Sequence, residues 1–474
     1  MSFDSQSRTQ VGNSDARVSI KLPLLNKVSC PHCWHQYPPE NTLWISSDQL
    51  SQQGDQKLGK DVPPRFAAER FDVQGNALDS SGKDGARAQG LACPNCHLEV
   101  PRALYEYKPF FVSIVGAPSS GKSFFLPAMT WYLRSSMPEK FAVNFQDADP
   151  RLNIRLHDYE ETLFLNPDRD TVVTIAKTSE KQAENLYDLV LMGKKNRVMF
   201  PRPFVFRVEP TAAHPEASRI AAISRAVCMY DNAGESFGAA ATVESSRLTN
   251  HLEHCDLTLF LFDPTQHPVF RDAARDKSND PQWTRQLKKV VLQNTILDNA
   301  AARLRNLRGM SLQERFGGPL VVVVTKLDAW AKLLPDENRN QLLAAEYLPQ
   351  IAAGSSMSVI RSDLVQVLSQ TVRGLLRTLA PEIVSAAEGY STDVTYIPVS
   401  ATGSGVQPIA GASQSADGNI SLGVRPRNMQ PKWCEIPLLV GLWKAKTQLV
   451  RAVASVVAPI PAAGHGKDSA GQPG

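Results

Sequence analysis

The sequence predicts an α/β fold, in which a doubly wound, mostly parallel sheet with insertions is preceded by a small cysteine-containing ribbon. Two observations lead to this prediction. From Phe110 onward, short apolar runs bounded by turn residues alternate with longer stretches of helical spacing, which is typical of a parallel sheet covered by helices. Before that point, two matching C-P-x-C pairs precede the first predicted strand.

The composition narrows the class of protein. The chain has 474 residues, of which 42% are apolar, so it can bury a sizeable core. Its formal net charge of +4 is too small to argue for a nucleic-acid or membrane partner. The N-terminus lacks the apolar region of a secretory signal, and every apolar run is far shorter than the about 20 residues that cross a bilayer. We therefore expect a cytoplasmic protein without a transmembrane segment.

Changes in composition along the chain predict four regions. Residues 1–26 and 456–474 are expected to be disordered tails, because they hold little that could be buried. Residues 27–107 carry the ribbon, which is interrupted near 50–90 by a flexible insertion rich in Gly, Ser, Gln, Asp and Lys. Residues 108–455 form the α/β domain.

Six apolar runs are predicted strands of the sheet, and each is followed by turn or polar residues. They are Phe111–Val115, Phe204–Val208, Ala226–Tyr230, Leu257–Phe262, Leu320–Val324 and Val394–Ile397. Helical spacing predicts a helix over Trp283–Leu307 and a closing helix over Pro437–Val453. Because polar motifs follow four of these strands, we expect the ligand at the carboxyl ends of the strands.

The first strand leads into a phosphate-binding motif. Gly116–Ser123 reads G-A-P-S-S-G-K-S and matches G-x-x-x-x-G-K-[ST] between a strand and an apolar helical run. The glycines let backbone N–H groups wrap a phosphate, while Lys122 reaches the β- and γ-phosphates as a catalytic cation and Ser123 binds Mg²⁺. The predicted phosphate-binding residues are Gly116, Ser119, Ser120, Gly121, Lys122 and Ser123.

A second motif follows the strand Ala226–Tyr230, where the sequence reads D-x-x-G over Asp231–Gly234. A carboxylate at this strand end can hold Mg²⁺, usually through water, and the N–H of Gly234 can sense the γ-phosphate. An ordinary strand-to-loop turn would show the same short pattern. Glu235 follows as a candidate catalytic residue that orients or deprotonates water, and a solvent-exposed acid is the equally open alternative.

A second switch should supply a threonine to Mg²⁺ from a position between these two motifs. The segment from Asp168 to Thr178 offers Thr171, Thr174 and Thr178, and Arg169 is a candidate internal arginine finger. Nothing in the sequence selects among them, and a surface or strand role fits each of them better.

The base-reading motif is predicted after the strand Leu320–Val324, where Thr325, Lys326 and Asp328 form T-K-x-D. The carboxylate of Asp328 can accept hydrogen bonds from guanine N1–H and N2–H, a donor pair that adenine lacks. The Lys326 stem would lie along the base. Thr325 stands where Asn is commoner, which loses some side-chain hydrogen bonding. After the last predicted strand, the pair Ser400 and Ala401 would offer a backbone N–H to guanine O6.

In this order, the four motifs over residues 108–455 resemble those of the translation-factor-related (TRAFAC) class of P-loop GTPases. The resemblance implies the P-loop GTPase fold. Members of the class bind GTP with Mg²⁺ and cycle between GTP and GDP states, so the resemblance implies the same for this chain. The motifs lie farther apart than in a minimal small GTPase, so insertions must separate them. Within the class, the N-terminal CPxC knuckle and the proline-led helix at Glu435–Leu439 look most like bacterial double-GTPase proteins of conflict (defence) systems. That narrower resemblance implies a switch acting with a partner GTPase or effector.

The two C-P-x-C knuckles predict a metal site. Cys30, Cys33, Cys93 and Cys96 supply four thiolates, which suit a closed tetrahedral zinc site without an open catalytic position. The two pairs lie farther apart in the sequence than the usual 15–20 residues. A loop that leaves the ribbon between them would bridge this distance at little cost in closure entropy. His32, His35 and His97 lie nearby as alternative ligands that we expect to be bystanders.

Three functions follow from these motifs. The first is a GTPase switch whose hydrolysis is slow without a partner. The second is a nucleotide-dependent assembly module with little hydrolysis, which Glu235 in place of the commoner Gln makes credible. The third is a P-loop ATPase or kinase, for which Asp328 would have to be incidental.

Overall fold

A computed structural model describes most of the chain. The described residues are 23–46, 54–68, 70–71, 77–78, 90–175, 187–193, 196–231, 248–284, 292–351, 355, 357–403, 405–409 and 422–454. Apart from residues 23–26, the tails predicted at 1–26 and 456–474 lie outside them, so their disorder stays a prediction. No helix among these residues combines the length and the apolarity that a membrane crossing requires.

The N-terminal ribbon consists of short antiparallel strands. These are β1 (Val28–Ser29), β2 (Gln36–Tyr37), β3 (Leu43–Ile45), β4 (Arg65–Ala67), β5 (Arg70–Phe71), β6 (Ala77–Leu78) and β7 (Gly90–Ala92). β1 pairs with β2, β5 pairs with β6, and β3 lies between β4 and β7. Because β4 pairs with β3, part of the insertion predicted to be flexible at 50–90 is instead a strand of the ribbon.

The remaining strands belong to the central sheet and to short peripheral pairs. They are β8 (Lys108–Gly116), β9 (Val143–Asp147), β10 (Tyr187–Met192), β11 (Asn196–Pro201), β12 (Phe204–Pro210), β13 (Arg225–Asp231), β14 (Leu257–Phe262), β15 (Phe316–Val324), β16 (Ile360–Arg361), β17 (Ser391–Pro398), β18 (Gln407–Pro408), β19 (Leu422–Gly423) and β20 (Ala452–Val453).

The α-helices of the described residues vary from one turn to more than five. They are α1 (Ala103–Glu106), α2 (Lys122–Phe141), α3 (Ile154–Phe164), α4 (Ile220–Ile223), α5 (Pro268–Ala274), α6 (Gln293–Arg308), α7 (Leu327–Trp330), α8 (Asp336–Ala344), α9 (Ser362–Leu379), α10 (Pro381–Tyr390) and α11 (Ile436–Lys444).

The central sheet has seven strands in the order β17-β15-β14-β8-β13-β12-β9. β17, β15, β14, β8 and β13 run parallel to one another, and β12 is antiparallel to both of its neighbours. The predicted mostly parallel sheet is therefore confirmed, and each of the six predicted strands is present in it. β9, at the edge of the sheet, was not predicted.

Helices cover both faces of the sheet, which confirms the doubly wound arrangement. Successive residues of a strand point to opposite faces. On β14, Leu257 packs against α11 so closely that a Cβ on Gly441 would lie 2.3 Å from a Leu257 methyl group. The next residue, Thr258, exchanges a 2.9 Å hydrogen bond with the hydroxyl of Tyr390 on α10. The two helices therefore lie on opposite sides of β14.

The ribbon also packs against the sheet. On β13, Val227 and Met229 point into the main core beneath α2. The alternate residues Ala226, Cys228 and Tyr230 pack with ribbon residues in a second apolar cluster. The ribbon thus covers one face of the sheet at β13, and it does not stand apart as an appended module.

Two predicted helices have different bounds in the structure. The helix predicted over Trp283–Leu307 is α6, which begins at Gln293 after residues 285–291, outside the described part. The closing helix predicted to reach Val453 is α11, which ends at Lys444. Positive φ angles at Lys446 and Gln448 explain the early end, because a right-handed helix cannot continue through them.

Candidate nucleotide site and cysteine cluster

The phosphate-loop motif forms a tight turn between β8 and α2. Ser119 and Gly121 have φ angles of +62° and +95°, in the left-handed region. Gly116 allows the close approach of β14, since a Cβ there would lie 2.8 Å from the Leu261 carbonyl oxygen. α2 begins at Lys122, so the positive end of a 20-residue helix faces the loop. This is the geometry in which backbone N–H groups bind a phosphate.

Two side chains of the loop carry hydrogen-bonding capacity suited to an anion. The Lys122 ammonium donates to the carbonyl oxygens of Gly116 and Ala117 at 2.7 and 2.9 Å, which holds it over the loop. The Ser120 hydroxyl is fully buried and has no hydrogen-bond partner among the described residues. Ser123 lies half-buried in the first turn of α2. A phosphate is a stronger acceptor for such donors than a neutral carbonyl.

The candidate base-reading loop lies directly against the candidate phosphate-binding loop. The buried Thr325 hydroxyl is 3.0 Å from the Ser120 carbonyl oxygen and 3.1 Å from that of Phe262, so it can donate to either. Its N–H also donates to the Phe262 carbonyl at 2.9 Å. Threonine at this position therefore still joins the two loops, and the loss of hydrogen bonding relative to Asn stays a prediction.

A buried ion pair that the sequence analysis missed reinforces this junction. The Lys326 ammonium lies 2.6 Å from the carboxylate of Asp263, which is fully buried after β14, and it also donates to the Thr265 hydroxyl. The side-chain amide of Gln266 donates to Asp263 and to the phosphate-loop carbonyl of Pro118. The signal was present, because Asp263 directly follows the predicted strand Leu257–Phe262, as Asp231 directly follows the predicted strand Ala226–Tyr230.

Asp328 and the S-A pair meet at the other end of the same junction. The Ser400 hydroxyl donates to the Asp328 carboxylate. Burial, aided by the nearby charge of Asp280, raises the pKa of Asp328 to about 6 despite that hydrogen bond. Ala401, next to Ser400, is partly exposed. The carboxylate therefore sits in a poorly solvated position where a pair of N–H donors would stabilise its charged form.

Asp231 ends β13 and lies beside β8, at the same carboxyl edge of the sheet. Its carboxylate is 3.5 Å from the guanidinium of Arg155, on α3. This carboxylate already attracts a cation, as a Mg²⁺ ligand would. Gly234 and Glu235 lie outside the described residues, so their predicted roles stay predictions.

The second-switch candidates lie in a segment whose Val173 and Ile175 pack in the same apolar cluster as Phe124, in the first turn of α2. Arg169, Thr171 and Thr174 are exposed, and Thr171 donates to the side chain of Asp168 in its own turn. Thr178 lies outside the described residues. The structure thus gives no support to Arg169 as an internal arginine finger.

The four knuckle cysteines converge on one point. Their sulfur atoms all lie within 4.8 Å of one another, with 3.7 Å between Cys30 and Cys96 and 3.6 Å between Cys33 and Cys93. Four sulfurs at the zinc–thiolate distance of 2.3 Å in a tetrahedron would be about 3.8 Å apart. The donor set and the spacing therefore fit zinc.

The nearby histidines are engaged elsewhere. The two ring nitrogens of His32 each lie 3.0 Å from a backbone carbonyl oxygen, that of Pro201 or that of Glu99. The Nδ1 of His97 lies 2.9 Å from the Asp55 carboxylate. His35 stacks on Tyr37. None of the three belongs to the cysteine cluster, as predicted.

One knuckle contacts the strand that carries Asp231. The Trp34 indole N–H donates to the Tyr230 hydroxyl at 3.1 Å, and that hydroxyl donates to the Pro31 carbonyl at 2.6 Å. His251 stacks on Tyr230 with ring centroids 4.7 Å apart. The residue immediately before Asp231 is thus held by the ribbon.

No protein-family model and no curated protein matches this sequence. Among solved structures, the chain is similar to Sup35 complexed with GDP, at 14% identity and a TM-score of 0.21, over 63% of this chain and 38% of that one. It is also similar to elongation factor SelB from Methanococcus maripaludis with the GTP analogue GPPNHP, at 10% identity and a TM-score of 0.19, over 62% and 30%. The match spans less than half of each neighbour. TM-scores this low support no conclusion about this chain. The order and direction of its own strands are what support the α/β fold.

Proposed function

We propose that this protein is a P-loop GTPase that binds and hydrolyses GTP with Mg²⁺ and acts as a molecular switch. One observation carries the proposal: the Thr325 hydroxyl reaches the Ser120 carbonyl, so the candidate phosphate-binding and base-reading loops adjoin at one edge of the sheet. A single nucleotide can span loops that are joined in this way. The ion pair between Lys326 and the buried Asp263 ties the candidate base-reading loop to the end of β14.

Guanine selectivity is assigned to Asp328. Its carboxylate accepts from N1–H and the exocyclic amino group of guanine, whereas adenine offers no such pair. The hydrogen bond from Ser400 orients this carboxylate, and the backbone of Ala401 would meet guanine O6. Beside adenine the carboxylate would lose water without gaining a hydrogen-bond partner. This cost lowers the affinity for ATP.

The phosphates are assigned to the loop from Gly116 to Ser123. Lys122 would exchange its two carbonyl partners for phosphate oxygens and offset the charge that develops on them. The Ser123 hydroxyl and the Asp231 carboxylate would hold Mg²⁺, which supplies further charge stabilisation at the β- and γ-phosphates. Gly234 is proposed to sense the γ-phosphate and Glu235 to orient water.

The cysteine cluster is proposed to bind structural zinc. All four positions are cysteines, three of them buried, which would ligate zinc as thiolates and leave no open position for catalysis. Together with the ribbon's contact with β13, this supports a role in holding the sheet. By resemblance, we propose that the protein works with a partner GTPase or effector in a bacterial multi-component system, with hydrolysis slow until that partner binds.

Nucleotide competition tests the proposal. With a fluorescent GTP analogue and Mg²⁺, we expect unlabelled GTP and GDP to compete and ATP to compete poorly. Lys122→Ala should weaken GTP binding and abolish hydrolysis measured as phosphate release. Equal competition by ATP would favour a P-loop ATPase instead. If neither nucleotide binds, the proposal is wrong.

A further inference from the structure

Arg155 is a largely buried cation at the proposed phosphate end of the site, and the motifs above give it no role. It lies in the first turn of α3, and its side chain is only 17% exposed. The guanidinium stacks on the ring of Phe204, 4.9 Å from the ring centroid. Phe204 lies opposite Met229 in the β12–β13 register, just before β13 ends at Asp231. Arg155 is thus fixed at the carboxyl edge of the sheet.

The same face of α3 is directed toward the start of α2. Tyr159, one helical turn after Arg155, packs against a small apolar cluster around Leu163. Phe124, the residue after Ser123, packs against this cluster as well. α3 therefore packs against the start of α2, while Arg155 in its first turn contacts Asp231, the residue assigned above to the Mg²⁺ and γ-phosphate end of the site.

The guanidinium of Arg155 has donors that are poorly paired or unpaired among the described residues. Its contact with Asp231 is long, at 3.5 Å, and the second terminal nitrogen is buried with no hydrogen-bond partner among the described residues. A buried donor without an acceptor is costly, and such groups are rare unless function requires them. The planar guanidinium matches phosphate oxygens better than any other side chain does.

A second arginine provides the comparison with a side chain that has a purely structural role. Arg134, on α2, also stacks on a β12 phenylalanine, Phe206, at 5.6 Å. Its two terminal nitrogens donate to Asp147 at 3.0 and 3.1 Å, and its Nε lies 3.6 Å from Glu160. Arg134 is therefore fully engaged by carboxylates, whereas Arg155 has donor capacity left at the phosphate end.

We propose that Arg155 is an internal arginine that reads the γ-phosphate. Asp231 would hold Mg²⁺, and the guanidinium would then exchange its long contact with Asp231 for a γ-phosphate oxygen while keeping its stack on Phe204. This inference rests on the proposed function and assigns to Arg155 the role that the sequence analysis considered for Arg169. It makes Arg155 a determinant of triphosphate over diphosphate binding.

The test is the ratio of GPPNHP to GDP affinity, measured by calorimetry with Mg²⁺ on the full chain. Because a charge-assisted bond to the γ-phosphate is lost, Arg155→Ala should weaken GPPNHP binding about tenfold or more and leave GDP binding within about twofold. Arg155→Lys, which keeps the charge without the fork, should fall between. The matched control Arg134→Ala should lower the melting temperature and leave the ratio unchanged.

Each other outcome counts against the inference in a recognisable way. An unchanged ratio in Arg155→Ala, with wild-type binding intact, would mean that Arg155 only neutralises Asp231. An equal loss of affinity for GPPNHP and GDP would also mean that Arg155 does not read the γ-phosphate. If the alanine variant fails to fold, Arg155→Lys decides, because a wild-type ratio in that variant removes the requirement for a guanidinium. If the wild-type protein binds neither nucleotide, the proposed function fails and this inference fails with it.

Discussion

In the cysteine cluster, all four candidate ligands come from two four-residue motifs, whereas the candidate nucleotide site draws its residues from loops after four different strands. The two knuckles repeat the same local geometry. The backbone N–H of His32 donates to the sulfur of Cys30, and that of Asn95 donates to the sulfur of Cys93. The cluster is therefore specified locally, and it needs the rest of the fold only to bring two knuckles together.

The nucleotide site depends on the whole sheet, and its polar groups are less well matched. Ser120 has a buried hydroxyl without a partner among the residues described, and burial raises the pKa of Asp328. Such groups cost stability and are retained where a ligand satisfies them. The difference teaches that the cluster is built to hold the fold, while the nucleotide site is built to exchange a ligand.

The largest expected effect is loss of the metal. Because a structural zinc site contributes about 10–16 kcal/mol to the folding of small domains, Cys30→Ser or a strong chelator should unfold the ribbon and expose β13. Zinc stoichiometry and the melting temperature measure this. Cys255→Ala is the matched control, because Cys255 is buried outside the cluster and its loss should leave the zinc content unchanged. If Cys30→Ser still binds one zinc per chain, the Cys₄ assignment is wrong.

The next effect in size concerns the base. Asp328→Asn replaces an acceptor by an amide that can donate, so GTP affinity should fall about a hundredfold, or about 3 kcal/mol. Xanthosine triphosphate carries a carbonyl where guanine carries the amino group, and it should bind the variant better than the wild type. Competition against a fluorescent nucleotide measures both affinities. Unchanged GTP binding in the variant would contradict the base assignment and weaken the contrast between the two regions.

The sequence predicted the parts of each region whose residues are neighbours in the chain. Both knuckles, the phosphate loop and the T-K-x-D loop are visible as short motifs, because local backbone chemistry dictates them. β9 escaped prediction because the predicted strands were taken from continuous apolar runs, whereas V-N-F-Q alternates apolar and polar residues, as a strand buried on one face does.

Contacts between distant segments could not be predicted. Asp263 meets Lys326 across 63 residues, and Arg155 meets Asp231 only because α3 packs over β12. In the same way, the packing of Trp34 against Tyr230 joins residues 196 positions apart. Such pairings depend on strand order and helix placement, which a single sequence does not encode locally.

A smaller effect is a pH dependence of nucleotide binding that arises from Asp328. Asp328 must be ionised to accept two N–H donors, and its pKa of about 6 places its protonation between pH 7 and pH 5. GDP affinity should therefore fall about tenfold over this range, because the ionised fraction falls by that factor. Calorimetry with GDP at several pH values measures it, and the same titration of Asp328→Asn should lack the step. A flat wild-type profile would mean that Asp328 does not contact the base.

The smallest effect tests whether the two regions are joined at Tyr230. Tyr230→Phe keeps the stack on His251 but removes the hydroxyl that accepts from Trp34 and donates to Pro31. The partly buried Trp34 N–H and the buried Pro31 carbonyl then lose a partner, so the free energy of unfolding should fall by about 1 kcal/mol. Urea denaturation followed by tryptophan fluorescence measures this change. Zinc content should not change, because no cysteine is touched. A midpoint equal to that of the wild type would show that the ribbon rests on β13 through apolar packing alone, and β13 would then carry Asp231 independently of the cluster.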